Sequence, residues 1–108
     1  MYIYNITFVM SPDSEERFYG WLRESALPVL MAGEFPPSDP RIHKVVETGG
    51  EKPGPEHGLS MALHVEFPTE EAAHEWHDTR LPQALADFNR KFGPYAAFFI
   101  TMLEVSRL

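Results

Sequence analysis

The chain has 108 residues, 44% of them hydrophobic, which suits a single globular domain spanning residues 1–108 with a modest core. Its 16 acidic residues outnumber its 9 lysines and arginines, so the net charge of −7 disfavours nucleic acid or an anionic membrane as a partner. Cysteine is absent, which excludes disulfides and thiolate metal sites, and neither an apolar leader nor a membrane-length apolar run is present, so we expect a cytoplasmic protein.

The first predicted elements are a strand and a helix. Residues 2–9 are rich in aromatic and β-branched side chains that alternate between two faces, which predicts a strand. Residues 11–16 offer cap residues, an early proline and carboxylates, and they predict a helix start. Pro28 lies inside the helical pattern that follows, and because proline lacks a backbone donor we expect a bend or restart there.

The middle of the chain contains one predicted strand between two irregular segments. Residues 33–40 contain three prolines and predict a stiff surface connection. Residues 41–48 predict the second strand. Residues 49–58, with the sequence GGEKPGPEHG, predict an exposed, mobile hairpin loop that carries His57.

The second half begins with a strand, residues 59–67, whose odd positions are apolar and should pack against helices. Thr69 is the predicted N-cap of the helix that follows, and Pro82 should bend or interrupt that helix. Gly93 ends it, and residues 96–105 predict the last strand. One helical stripe is expected to face the core and comprises His74, His77, Leu81, Ala84, Leu85, Phe88 and Phe92.

The two halves resemble each other in the placement of carboxylates, tryptophan and proline. Two glutamates precede Trp21 and Pro28 in the first half, and two precede Trp76 and Pro82 in the second. The order β-α-β-β-α-β with right-handed crossovers predicts an α+β fold, a ferredoxin-like four-stranded antiparallel sheet with two helices on one face.

The last strand indicates how the other face of the sheet is covered. Residues 98–105 are apolar on both faces of that strand, and Ile3 and Val9 add apolar side chains from the first strand. A strand that is apolar on both faces needs cover on both. We therefore expect a two-fold symmetric homodimer that stacks sheet on sheet.

Three segments carry a resemblance to a known family. The opening YIYNITF, the segment WLRESALPVLMAGEF and the ending ITMLEV resemble the domain of unknown function 4286, an uncharacterised bacterial family. That family is similar to dimeric α/β-barrel proteins, in which ferredoxin-like subunits join through their sheets. The resemblance implies a dimeric α/β barrel and no particular reaction.

A small apolar or aromatic ligand is expected between the second helix and the sheet. There Tyr4, His74, Trp76 and His77 would form an aromatic wall with one titratable end, because imidazoles that extend an apolar stripe need polar partners or solvent. In the competing orientation, Ala73 and Trp76 face inward and both histidines face water.

A second candidate set lies on the other sheet face. Asn5, His64 and Glu66 share that face, and His64 with Glu66 would form an acid and base pair in a dry cleft. The alternative is a wet, polar part of the dimer interface, which is favoured.

A metal set is weaker still. Glu71, His74 and His77 have the spacing of one helix face and residue types that bind divalent metals, but such spacing is common by chance. We expect no metal and no cofactor.

Three classes of function follow, with a small-molecule-binding homodimer favoured. Similarity to dimeric α/β barrels implies a second class, cofactor-independent or haem-degrading monooxygenases, since Asn5, Trp76 and His77 supply the residue types of the haem-degrading set. Trp76 and His77, however, are adjacent on one helix and point about 100° apart, so they are poorly placed to contact one haem together. The third class is a non-enzymatic structural or interaction protein.

Overall fold

The computed structural model describes residues 1–46 and 58–108. The predicted hairpin loop and His57 therefore lie outside the described residues, Gly58 excepted. The fold is α+β, with a four-stranded antiparallel open sheet in the order β2-β3-β1-β4 and two helical segments on one face. The strands are β1 (Tyr2–Met10), β2 (Ser38–Lys44), β3 (Leu59–Phe67) and β4 (Ala97–Glu104).

Each helical segment changes character at its proline, as predicted. The first contains a 3-10 turn (Pro12–Ser14), α1 (Glu15–Trp21), a π turn (Leu22–Ala26) and α2 (Leu27–Leu30). The second contains α3 (Glu70–Thr79) and α4 (Leu81–Phe92). Pro28 and Pro82 each fall in the first turn after the change, the part of a helix where proline is best tolerated.

The start of α3 follows the predicted cap. The Thr69 side chain accepts a hydrogen bond from the Ala72 backbone N–H at 3.2 Å. This bond satisfies one of the amide groups that every helix start leaves without a partner. Gly93 ends α4 with a φ of 79°, a left-handed conformation that glycine adopts without steric cost.

The core lies between the helices and one face of the sheet. The even positions of β1 from Tyr4 onward and the odd positions of β3 are buried there, which confirms the predicted faces. Phe8 is at the centre, with ring centroids 4.7 Å from Phe88 and 5.3 Å from Phe18. Since each large apolar side chain contributes about 1.5–3 kcal/mol when it leaves water, this aromatic cluster is a main source of stability.

The bounds of β2 differ from the prediction. The strand starts at Ser38, within the predicted surface connection, and ends at Lys44. Its pairing with β3 is irregular between Ser38 and Arg41, which is the mark of a β-bulge. Pro40 is tolerated because β2 is an edge strand and a bulge needs no ladder bond at that residue.

The sheet face opposite the helices is called the open face below, and none of the helices in residues 1–46 and 58–108 covers it. Its apolar side chains concentrate on β1 and β4, where Leu103 lies opposite Ile3 and Phe99 opposite Thr7. Phe99 is 62% exposed and Leu103 47%.

In the part of the chain that the structure describes, no helix has the length and apolar character that crossing a membrane requires.

Candidate functional site

Aromatic rings stack beneath α3 on the helix-covered face of the sheet. The ring centroid of Tyr4 lies 5.6 Å from those of both Trp76 and His77, and the His77 ring is inclined to it by only 23°. Trp76 donates its indole N–H to the Leu30 carbonyl oxygen at 2.8 Å, which ties α3 to the end of α2. Tyr4 and Trp76 are buried, so His77, half-exposed, is the member of the stack that solvent reaches.

A groove of about 360 Å³ opens beside His77, between α4 and the edge strand β4. It is open because the helices cover β4 only partly, which leaves Phe98 half-buried and Ile100 37% exposed. His77 and Asn89 are polar groups in an otherwise mainly apolar lining that includes Leu81, Pro82, Leu85, Phe98 and Ile100.

The predicted stripe is wrong at the start of the second helical segment. Ala73 and Trp76 face the core, whereas the His74 side chain is 56% exposed, with its Nε2 atom 3.8 Å from Glu70 Oε1. The competing orientation, in which the histidine faces water, is therefore correct for His74. His77 is half-exposed, between the core-facing and the water-facing orientation. The reason is that burying the large indole of Trp76 is more favourable than burying an imidazole without a partner.

The weak metal set is not assembled. In the described residues, Glu71, His74 and His77 form no group with ligand atoms close enough to share an ion. Glu71 instead borders a separate groove that also involves Phe35.

Two members of the second candidate set meet on the open face. His64 Nε2 lies 2.8 Å from Glu66 Oε2, and Arg41 Nη2 lies 3.1 Å from the same His64 nitrogen and 3.6 Å from Glu66 Oε2. Asn5 is directly opposite His64 in the β1–β3 register, and its amide donates to Thr7 Oγ1 at 3.5 Å. The structure therefore groups His64 and Glu66 with a guanidinium that sequence reasoning did not include.

Asp39 is a further residue that sequence reasoning missed. It adopts a φ of 51° at the β2 bulge, and its Oδ2 atom lies 3.2 Å from Arg41 Nε. One ligand atom from each of Asp39, His64 and Glu66 lies within 4.8 Å of the other two. Pro40 in an otherwise strand-like segment was the available signal, because proline in a strand marks an edge or a bulge. Asp39, Arg41, His64 and Glu66 are called the open-face cluster below.

Hydrogen bonding and burial alter two pKa values at these places. The hydrogen bond from His64, supported by the positive charge of Arg41, holds the pKa of the Glu66 carboxyl below its ordinary value. Burial, with a smaller contribution from the Asp78 charge, raises the pKa of the Tyr4 phenol. Glu66 is therefore ionised and Tyr4 protonated at neutral pH.

The residue types of the haem-degrading enzymes are not brought together. Asn5 lies on the open face, whereas Trp76 and His77 lie on α3, on the other side of the sheet. The sheet therefore separates Asn5 from the aromatic stack.

Comparison with known proteins gives a family and no activity. The family described as Domain of unknown function (DUF4286) matches residues 1–106 of the chain. No curated protein matches this chain.

Proposed function

We propose that this chain, which belongs to the DUF4286 family, is a homodimeric ferredoxin-like protein that binds a small apolar or aromatic molecule in the groove beside His77. The strand order β2-β3-β1-β4 with both helical segments on one face supports the ferredoxin-like assignment. The groove is the observation that carries ligand binding, because concave apolar sites with a few polar groups are where small molecules bind.

The chemistry of the groove specifies the ligand class. Leu85, Phe98 and Ile100 offer an apolar surface, which favours a flat hydrocarbon or aromatic body. His77 and Asn89 offer hydrogen bonds to a polar substituent. A phenol-like molecule combines the two, with its ring on the apolar wall and its hydroxyl at His77.

The open face supports the dimer. Phe99 and Leu103 are large apolar side chains exposed on a sheet face that no helix of the described residues covers. The four strands are seven to nine residues long. At about 3.3 Å per residue and about 4.8 Å between strands, they present roughly 520 Å² in projection. Side chains on a pleated sheet expose more than this projection, and a standard interface buries about 800 Å² per partner. The face is thus large enough for a stable pair.

Titration with 2-naphthol tests the ligand site. We expect the NMR signals of His77 and Ile100 to shift together and to saturate, while those of residues on the open face stay in place. Shifts confined to the open face, or none, would contradict the proposed groove.

A matched pair of histidine variants makes the test specific to His77. His77→Ala should weaken 2-naphthol binding by roughly 2–10-fold, the effect of one lost hydrogen bond. His74→Ala removes a neighbouring exposed histidine of the same helix and should leave the affinity unchanged. Equal effects of the two variants would mean that the ligand does not contact His77.

Light scattering at micromolar concentration tests the dimer. Ile3→Glu and Phe99→Glu should each convert a dimer to a monomer, because a buried unpaired carboxylate is strongly unfavourable. Phe35→Glu is the control, since Phe35 is 66% exposed but lies in the connection before β2. A monomeric wild-type chain would refute the dimer, and a dimer that binds no 2-naphthol would favour the interaction-protein alternative.

A further inference from the structure

The open-face cluster contains a nitrogen with two incompatible contacts. His64 Nε2 lies 2.8 Å from a carboxylate oxygen of Glu66 and 3.1 Å from the Arg41 guanidinium. A ring nitrogen with a proton donates to Glu66 and cannot accept from Arg41, and one without a proton does the reverse. In either state, one of the two close contacts is not a hydrogen bond.

The charges are also unbalanced when the His64 ring is neutral, the form that binds a metal. Asp39 and Glu66 then carry two negative charges against the single positive charge of Arg41. A divalent cation would neutralise both carboxylates. It would also accept the His64 lone pair, which removes the conflict at that nitrogen.

We propose that the open-face cluster binds Zn²⁺, with one ligand atom each from Asp39, His64 and Glu66. Imidazole nitrogen and carboxylate oxygen are ordinary zinc ligands, and three protein ligands leave a fourth position for water or another molecule. The three candidate atoms lie within 4.8 Å of one another. Tetrahedral bonds of about 2.0–2.1 Å require ligand atoms roughly 3.3 Å apart. Binding therefore needs only a slight separation of His64 from Glu66 and a small approach of Asp39.

Local structure supports each ligand. His64 and Glu66 are fixed on β3, and their side chains are only 14% and 17% exposed. The bulge and the positive φ of Asp39 direct its carboxylate to the same place. Arg41 is 50% exposed in the single chain and lies on the edge strand β2, so its guanidinium can turn over the edge of the sheet when the ion enters. The groove beside His77 lies on the opposite side of the sheet, so the zinc site stands or falls independently of the proposed ligand site.

Calorimetric titration of chelator-treated protein with ZnCl₂ tests the proposal. We expect one Zn²⁺ per chain and an accompanying rise in melting temperature, since a ligand that binds only the folded state stabilises it. Mg²⁺ at equal concentration should do neither, because it disfavours a nitrogen ligand.

Variants distinguish a built site from adventitious binding. Glu66→Gln and His64→Ala should each weaken zinc binding by roughly 100-fold. Removing a residue that only hydrogen-bonds a metal ligand already costs about 10–100-fold in affinity, and removing the ligand itself should cost no less. His74→Ala is the matched control, because His74 also lies beside a carboxylate but on α3, and it should leave the affinity unchanged. Wild-type affinity no tighter than that of His64→Ala would overturn the proposal.

Arg41→Gln separates a metal site from a simple ion-pair network. If Zn²⁺ and the guanidinium compete for the same carboxylates, this variant should bind zinc at least as tightly as the wild type. A loss comparable with that of Glu66→Gln would show that Arg41 assembles the cluster and would overturn the proposed competition. Circular dichroism of each variant before titration ensures that only folded chains are compared.

Discussion

The two faces of β1 differ in what they contribute, although they alternate along one strand. Tyr4, Ile6 and Phe8 are almost fully buried beneath the helices, whereas Asn5 and Thr7 between them lie on the open face. The helix-covered face is an apolar, aromatic core with ordinary packing. The open face combines exposed apolar side chains on β4 with charged ones near β2. One face therefore supplies the stability of the chain, and the other is available for contacts with other molecules.

The largest expected effect is the loss of a core ring. Phe8→Ala should lower the free energy of unfolding by about 3–5 kcal/mol, because Phe8 packs against Phe18 and Phe88 and its removal leaves a cavity. Phe99→Ala on the open face should cost about 0.5 kcal/mol or less in an isolated chain. Denaturant unfolding measures both. A cost at Phe99 that approaches the cost at Phe8 and grows with protein concentration would mean that a partner covers the open face.

A smaller effect is expected from Trp76→Phe within the helix-covered half. This change keeps an aromatic ring but leaves the Leu30 carbonyl without its indole donor, at a cost of about 1–3 kcal/mol. Trp21→Phe removes a similar indole bond, to Asp87, but Asp87 keeps Arg90 and Lys91 as partners, so the loss should be less. Equal losses in denaturant unfolding would indicate that ring packing, rather than the hydrogen bond, decides the outcome.

The smallest effect concerns the pH dependence of stability. The hydrogen bond from Trp21 holds the pKa of Asp87 below its ordinary value, with help from Lys91 and Arg90. Because the folded chain favours the ionised form, this contribution is present above the unfolded pKa of about 3.9 and is lost as the pH falls through the lower folded value. Asp87→Asn should flatten that part of the curve. Urea unfolding at several pH values from 3 to 6 measures it, and an unchanged slope would contradict the assignment.

The strands β1 and β3 and the Thr69 cap could be predicted because their signals are local. The two-residue alternation of β1 and β3 specifies which side chains meet the helices, and Thr69 carries its cap in its own side chain. Pro28 and Pro82 likewise indicate where each helical segment changes, because the backbone N–H that proline lacks affects only the surrounding helical turn.

The candidate site was less predictable because its geometry depends on distant residues. His74, Trp76 and His77 lie within one helical turn, so a modest rotation decides which of them is buried, and only the packed core fixes that rotation. His64 and Glu66 could be paired from their alternation in β3. Asp39 and Arg41 join them only through the β2–β3 register and a bulge, which no periodicity specifies.

The π turn between α1 and α2 explains a difference in length between the halves of the chain. Six residues separate Trp21 from Pro28, whereas five separate Trp76 from Pro82. Within the π turn the Leu27 N–H bonds to the Leu22 carbonyl, five residues back instead of four, so the ring that this bond closes holds one additional residue. In a regular α-helix, one inserted residue would rotate everything after it by about 100°. The widened turn absorbs the insertion, and Leu30 still points into the core and presents its carbonyl to Trp76.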